Sequence, residues 1–217
     1  MFRAILTLQW QWLRIPLALL SLVAVAIPIL GVGATSSRGA PSVDSLLTAA
    51  NLAGILLAGV ALLAGAIVGD VLWRQDARQG HSYALSLPIR RERFLQYRAI
   101  GGAMLLLAPA AAMLVGIAAI AIGTELPPGV HTYAWETAVR AWVAMLLTLA
   151  LTLGLRHGLG ARGRRVLLVA GIALTVTVWL EPEVNIDRPV GKALTTVFSG
   201  KYSPFAVVFS PWPVVDL

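Results

Sequence analysis

The sequence predicts an all-α integral membrane protein, a polytopic helical bundle forming a single transmembrane domain over residues 1–217. Hydrophobic residues make up 58% of the 217-residue chain and charged residues only 12%, whereas a soluble domain is about 25% charged. The remaining charges stand in short clusters between long apolar runs. Because a water-soluble fold could not cover its surface with so few charges, the chain is expected to lie in a membrane.

Five apolar stretches are the expected membrane spans. They cover residues 15–34, 46–73, 99–122, 141–155 and 166–180. Their lengths and their content of Ala, Leu, Val and Gly favour helices over the alternating strands of a membrane barrel. The last two stretches are short for a full crossing.

Both ends of the chain predict elements other than a regular span. Residues 1–14 gather polar side chains on one helical side, and Pro16 favours a break, so we expect a separate N-terminal interfacial helix. The alternative is that these residues extend the first span. Residues 181–217 predict an outer loop and a re-entrant hairpin, because three prolines would interrupt a spanning helix; an interfacial loop is the alternative. We expect a sixth span to be missing or to belong to a longer parent protein.

The distribution of charge predicts the orientation of the bundle. The N-terminus and the second and fourth loops carry twelve basic and three acidic residues, a net charge of +9, and the opposite side carries −2. Basic residues accumulate on the cytoplasmic side, so the N-terminus is predicted to be cytoplasmic, in an inner or plasma membrane. The formal charge of +7 is thus a topology signal, and no nucleic-acid partner is predicted.

The sequence contains none of the common catalytic motifs. Zinc-protease, serine-hydrolase and phosphate-loop patterns are absent, and the chain has no Cys. The predicted topology places His81 and His157 inside but His131 outside, so no metal site is predicted. We therefore expect no catalytic residue and no cofactor.

Two features of the second span stand out. Asp70 is an acidic residue within an apolar run, which makes it a candidate polar site, although Arg74 on the same helical face favours an interfacial ion pair. Gly65 and Gly69, four residues apart, would let another helix approach closely. That helix could belong to the same bundle or to another subunit.

The second cytoplasmic loop is more patterned than topology requires. A helix-compatible segment at 73–79 is followed by Gly80 as a breaker and an apolar patch at 83–87, and Pro88 begins a second basic helix. Six arginines lie in or beside this loop: Arg74, Arg78, Arg90, Arg91, Arg93 and Arg98. The arrangement is typical of a docking element for a partner protein or an anionic membrane surface.

At these residues the chain resembles the permease subunits of type-2 ATP-binding-cassette exporters. Asp76, Gly80, the Leu-Ser-Leu-Pro-Ile-Arg-Arg segment at 85–91 and Arg98 fill the pattern of that family's loop. The resemblance implies an N-terminal interfacial helix, six spans and a re-entrant hairpin. It implies a non-catalytic permease that pairs with a second, identical or different permease and with separate ATP-binding subunits. The expected coupling residues are Arg74, Asp76, Arg78, Gly80, Leu87, Pro88, Ile89, Arg90, Arg91 and Arg93.

Two other functions remain open from the sequence. The chain could be an integral membrane enzyme acting on a phosphate-bearing lipid, with Asp70, Asp76 and the arginines recognising the headgroup. It could also be a docking or regulatory subunit that uses the same loop without transporting anything.

Overall fold

Helices make up almost all of the described part of the protein. The computed structural model describes residues 2–36, 43–78, 91–123, 131–158, 207, 212 and 214–216. The helices are α1 (Phe2–Ser36), α2 (Val43–Arg78), α3 (Arg91–Leu105), α4 (Leu107–Gly123) and α5 (Ala134–Gly158). Two short strands, β1 (His131–Thr132) and β2 (Val215–Asp216), pair antiparallel, with His131 opposite Asp216 and Thr132 opposite Val215.

The chain divides into two compact units. Residues 1–152 and 211–217 form the first, and residues 153–210 form the second. The first unit contains α1 to α4, both strands and α5 as far as Thr152. The packing described below lies in this unit.

Within the part of the chain that the structure describes, four helical stretches are long and apolar enough to cross a membrane. They are Phe2–Gly31, Val43–Arg74, Arg93–Gly123 and Ala134–Arg156. Each overlaps one of the first four predicted spans, so the prediction of a helical chain with several membrane spans is confirmed at this level. The predicted fifth span, 166–180, and most of the predicted outer loop and hairpin lie outside the described residues.

The predicted break at Pro16 does not occur. Helix α1 runs without interruption from Phe2 to Ser36, with Pro16 and Pro28 inside it. Its buried side chains recur at helical spacing on both sides of Pro16: Ile5, Gln9, Leu13, Leu17, Ala24 and Pro28. Packing along this continuous face outweighs the hydrogen bond that Pro16 cannot donate. The prediction of a separate interfacial helix ending before Pro16 is therefore wrong.

The third predicted span is divided near Pro109. Helices α3 and α4 are separated by a single turn residue, Leu106. Pro109 has no amide hydrogen to donate to the carbonyl of Leu105, but the amide of the next residue, Ala110, donates to Leu106 O at 3.4 Å. The helical hydrogen bonding thus resumes at once, and the two helices together form one candidate span.

Helix α5 is longer than the predicted fourth span. The prediction of 141–155 ends at the charges of Arg140 and Arg156, whereas the helix includes both residues and has 25 residues. At 1.5 Å per residue it is about 37 Å long, enough for a full crossing. Arg140 is one of the five basic residues that the charge count places on the side opposite the N-terminus, and it lies inside the candidate span Ala134–Arg156.

Glycines let neighbouring helices approach closely. A Cβ atom on Gly65 would lie 2.4 Å from Met145 O in α5, and one on Gly69 would lie 2.7 Å from the Thr152 Cβ atom. The Thr152 hydroxyl donates to Thr148 O within α5 at 2.8 Å, which satisfies it within its own helix. The close contact that these glycines predict therefore exists within the bundle, between α2 and α5.

Candidate docking and coupling site

The two ends of the patterned loop are visible as helices. Helix α2 continues past its apolar stretch through Asp76 to Arg78, and α3 begins at Arg91. The prediction that the segment from Trp73 is helical is thus confirmed as far as Arg78. The central residues of the predicted coupling element lie outside the described residues: Gly80, Leu87, Pro88, Ile89 and Arg90.

Arg98 is buried where α1, α2 and α3 meet. Its side chain is in a residue that is only 6% exposed. Its Nη2 donates to the main-chain oxygen of Leu72 in α2 at 2.8 Å. The guanidinium carbon lies 5.9 Å from the centroid of the Trp12 ring and 5.5 Å from that of the Phe94 ring. A planar cation between two aromatic faces gains cation–π attraction, which helps to offset its loss of hydration.

Gln9 connects the same position to α1. Its Nε2 donates to Arg98 O at 3.2 Å, and the residue is 1% exposed. Its Oε1 is buried and has no hydrogen-bond partner among the residues that the structure describes. A Cβ atom on Gly101 would lie 2.2 Å from that oxygen, so a side chain at this position would displace the amide of Gln9.

Together these residues form what we call the Arg98 junction, defined by Gln9, Trp12, Leu72, Phe94 and Arg98. It joins the first part of α1 to the end of α2 and the beginning of α3. An edge-to-face contact between Phe2 and Tyr97, with centroids 5.9 Å apart, adds a second connection between α1 and α3. Hydrogen bonds and ring contacts therefore join the three helices beside the two ends of the loop.

Charged side chains lie beside the junction. The Arg74 Nε is 2.5 Å from Asp70 Oδ2, which confirms the predicted ion pair. The Arg74 side chain is 62% exposed and that of Asp70 is 23% exposed. Arg93, one turn before Tyr97, is also exposed. The rim of the site thus presents guanidinium groups that a partner could reach.

Comparisons with known proteins found no match for the chain. It matches no protein family, no curated protein and no solved structure. The resemblance to exporter permeases therefore depends on the residues of the second loop alone.

Within the described residues, no group of three or more His, Cys, Asp or Glu side chains could hold a metal ion. Asp70 is brought to Arg74, whereas Asp76 is described only as part of the backbone of α2. His131 lies in β1. The described part of the structure thus assembles basic and aromatic groups at the site.

The sequence did not indicate Gln9, Trp12 or Arg140 as functional candidates. Gln9 repeats the four-residue spacing of the buried face of α1, between Ile5 and Leu13, and this spacing was the available signal. Arg140 was missed because a charge beside an apolar stretch was interpreted as the end of that stretch.

Proposed function

We propose that the protein is the non-catalytic permease subunit of an ATP-driven exporter, coupled to separate ATP-binding subunits through residues 74–98. It pairs with a second permease, and ATP is hydrolysed in the partner. The observation that carries this proposal is the hydrogen bond from Arg98 Nη2 to Leu72 O. It ties together the two helices from which the patterned loop extends.

Hydrogen bonds join the helices at the two ends of the patterned loop. A loop whose ends moved independently would absorb a partner's movement, whereas one whose ends are joined moves with its helices. The Arg98–Leu72 bond joins α2 to α3, and the Gln9–Arg98 bond joins α3 to α1. Displacement of the loop by an ATPase would therefore reach three membrane helices.

Electrostatics support an accessible docking rim. Arg74 and Arg93 are exposed beside the loop, and exposed charges at the edge of an interface mainly raise the rate of encounter with a partner of opposite charge. An acidic groove on the ATP-binding partner would be complementary in charge to this rim.

The finer topology is part of the same proposal. It comprises five spans, a cytoplasmic N-terminus in the cell membrane and a re-entrant hairpin formed from residues after the fifth span. The excess of arginine on one side supports the orientation. The burial of Trp212, Val214 and Val215 against the first unit supports a return of the chain toward the bundle.

Affinity purification tests the proposal directly. The tagged chain is extracted from its native membranes in mild detergent, and the copurifying proteins are identified by mass spectrometry and assayed for ATP hydrolysis. We expect an ATP-binding protein in stoichiometric amount. Recovery of the wild-type chain without such a protein would overturn the proposal, and phospholipid turnover by the purified chain alone would favour the membrane enzyme.

Paired variants test the coupling site. Arg74→Gln with Arg93→Gln removes two exposed charges from the rim, and we expect recovery of the ATP-binding protein to fall about tenfold. Arg3→Gln with Arg14→Gln is the matched control, because it removes two exposed arginines from the same predicted side of the membrane. The same recovery with both pairs would show that the rim does not dock the ATPase.

A further inference from the structure

The C-terminal residues form a strap across the first unit, which we define as residues 212 and 214–216. Trp212, Val214 and Val215 are buried. The Tyr133 amide donates to Val214 O at 3.2 Å, and β2 pairs with β1. Residues 153–210 cluster as the second unit and residues 211–217 with the first, so the strap begins where the chain rejoins the first unit.

The strap lies against Gly54 in α2, and we call this contact the seat of the strap. A Cβ atom on Gly54 would lie 2.1 Å from Trp212 O and 3.2 Å from the Trp212 Cβ atom. The first of these is a main-chain atom, which cannot rotate away as the end of a side chain can. Gly54 is eleven residues after the start of α2, about 16 Å along the helix. The strap therefore reaches well below the end of the bundle.

Arg140 in α5 contacts the seated strap. Its guanidinium carbon lies 5.1 Å from the centroid of the Trp212 ring. Arg140 is six residues after the start of α5, about 9 Å along the helix. A charge at this depth is costly and marks a functional position in membrane helices, and the ring of Trp212 offsets part of that cost.

The seated strap also carries a penalty. Among the described residues, the indole nitrogen of Trp212 is buried without a hydrogen-bond partner, and an unpaired buried donor opposes the state that buries it. Main-chain pairing and the Arg140 contact favour seating, while the buried indole donor favours release. Such a balance suits a contact that is made and broken, since a permanent one would gain from a partner for the donor.

We propose that the strap is a reversible latch. In this structure the strap contacts Gly54 and Arg140. During the transport cycle it moves away and exposes the Arg140 guanidinium. Arg140 lies at the end of the bundle opposite the Arg98 junction. This role rests on the proposed exporter function. The seating equilibrium itself is a property of the chain alone.

Thiol labelling measures that equilibrium. The chain has no Cys, so Val215→Cys introduces a single thiol that is buried while the strap is seated. In liposomes, adding Gly54→Ala should raise its rate of maleimide labelling about fivefold or more, since overpacking at the seat shifts the equilibrium toward release. Gly59→Ala is the matched control, because a Cβ atom there meets nothing within 4 Å. Equal labelling rates in the two variants would overturn the latch.

A disulfide tests the role of release in transport. Thr132 and Val215 are paired across the strands, and facing Cα atoms about 4.5–5.5 Å apart fall within the range that a disulfide spans. In the complex copurified with its ATPase, oxidised Thr132→Cys/Val215→Cys should hydrolyse ATP about tenfold more slowly than Val215→Cys treated alike. A reductant should restore the rate.

The two outcomes separate the latch from the proposed function. An unchanged rate in the oxidised double variant would overturn the latch while leaving the exporter standing. If the wild-type chain copurifies with no ATPase, the exporter function and the latch's place in transport both fail, and the labelling rates still decide whether the strap seats on Gly54.

Discussion

Arg98 Nη2 and Leu72 O are 2.8 Å apart, although the residues are 26 positions apart in the sequence. Five arginines lie between them in the sequence: Arg74, Arg78, Arg90, Arg91 and Arg93. The bond joins α2 and α3 on either side of this arginine-rich segment, between two buried residues of the bundle. Arg98 thus has a different role from the exposed arginines near it, since it fixes the geometry from which they extend.

Replacing Arg98 with Met should destabilise the bundle. The change removes a charge-assisted hydrogen bond and two cation–π contacts, and we expect the free energy of unfolding to fall by about 2 kcal/mol. Arg93→Met, on the exposed face of the same helix, should change it by less than about 0.5 kcal/mol. Denaturant titration in detergent micelles measures both, and equal effects would show that burial of Arg98 contributes little.

A side chain at Gly101 should break the contact between α1 and α3. In Gly101→Ala the new methyl group would collide with Gln9 Oε1, and we expect a loss of about 1–2 kcal/mol from overpacking and the lost hydrogen bond. Adding Gln9→Ala removes the collision, so the double variant should be more stable than the sum of the two single effects predicts.

The control for that experiment is Gly154→Ala in α5, where a Cβ atom meets nothing within 4 Å. It makes the same chemical change without a collision and should leave stability unchanged or slightly raised. Strict additivity of Gln9→Ala and Gly101→Ala would contradict the observed packing.

The sequence predicted the apolar helices because their apolar runs are long. It predicted helix ends wrongly at a proline and at a charged residue, where packing continues the helix. Pro16 predicts a helix end from local chemistry, yet the buried face of α1 continues through Leu13 and Leu17. Arg140 was taken as a boundary, whereas the helix continues past it and Trp212 stacks on it. Both outcomes depend on residues distant in sequence, which local patterns do not report.

The candidate site was predictable in its exposed part and not in its buried part. Asp70 and Arg74 are one turn apart on one helix, so their ion pair follows from spacing alone. The bond between Gln9 and Arg98 spans 89 positions, and no local pattern pairs a glutamine with an arginine at that distance.

Gly65 should tolerate no side chain while Gly59 should. A Cβ atom on Gly65 would lie 2.4 Å from the main-chain oxygen of Met145, so α2 and α5 must separate in Gly65→Ala, at a cost of about 1–3 kcal/mol. Gly59→Ala, on the same helix, should be neutral. Unfolding in mixed micelles by an added denaturing detergent compares the two, and an equal response would mean that α2 and α5 do not approach at Gly65.

Removing the charge of Asp70 should have little effect. Its partner Arg74 is mostly exposed, and ion pairs in such positions contribute less than about 1 kcal/mol. Asp70→Asn should therefore retain nearly wild-type stability and ATP-driven activity in the copurified complex. Complete loss of activity with stability retained would instead give Asp70 a direct chemical role, as in the membrane-enzyme alternative.

Single cysteines should reveal the predicted orientation, because the wild-type chain has none. His131 and Thr7 are both exposed and lie on sides that the charge distribution assigns to the outside and the cytoplasm. A membrane-impermeant maleimide added to intact cells should label His131→Cys, but Thr7→Cys only after permeabilisation. The reverse pattern would invert the topology and move the arginine-rich loop away from ATP, since ATP-binding subunits act in the cytoplasm; the exporter proposal would fall with it.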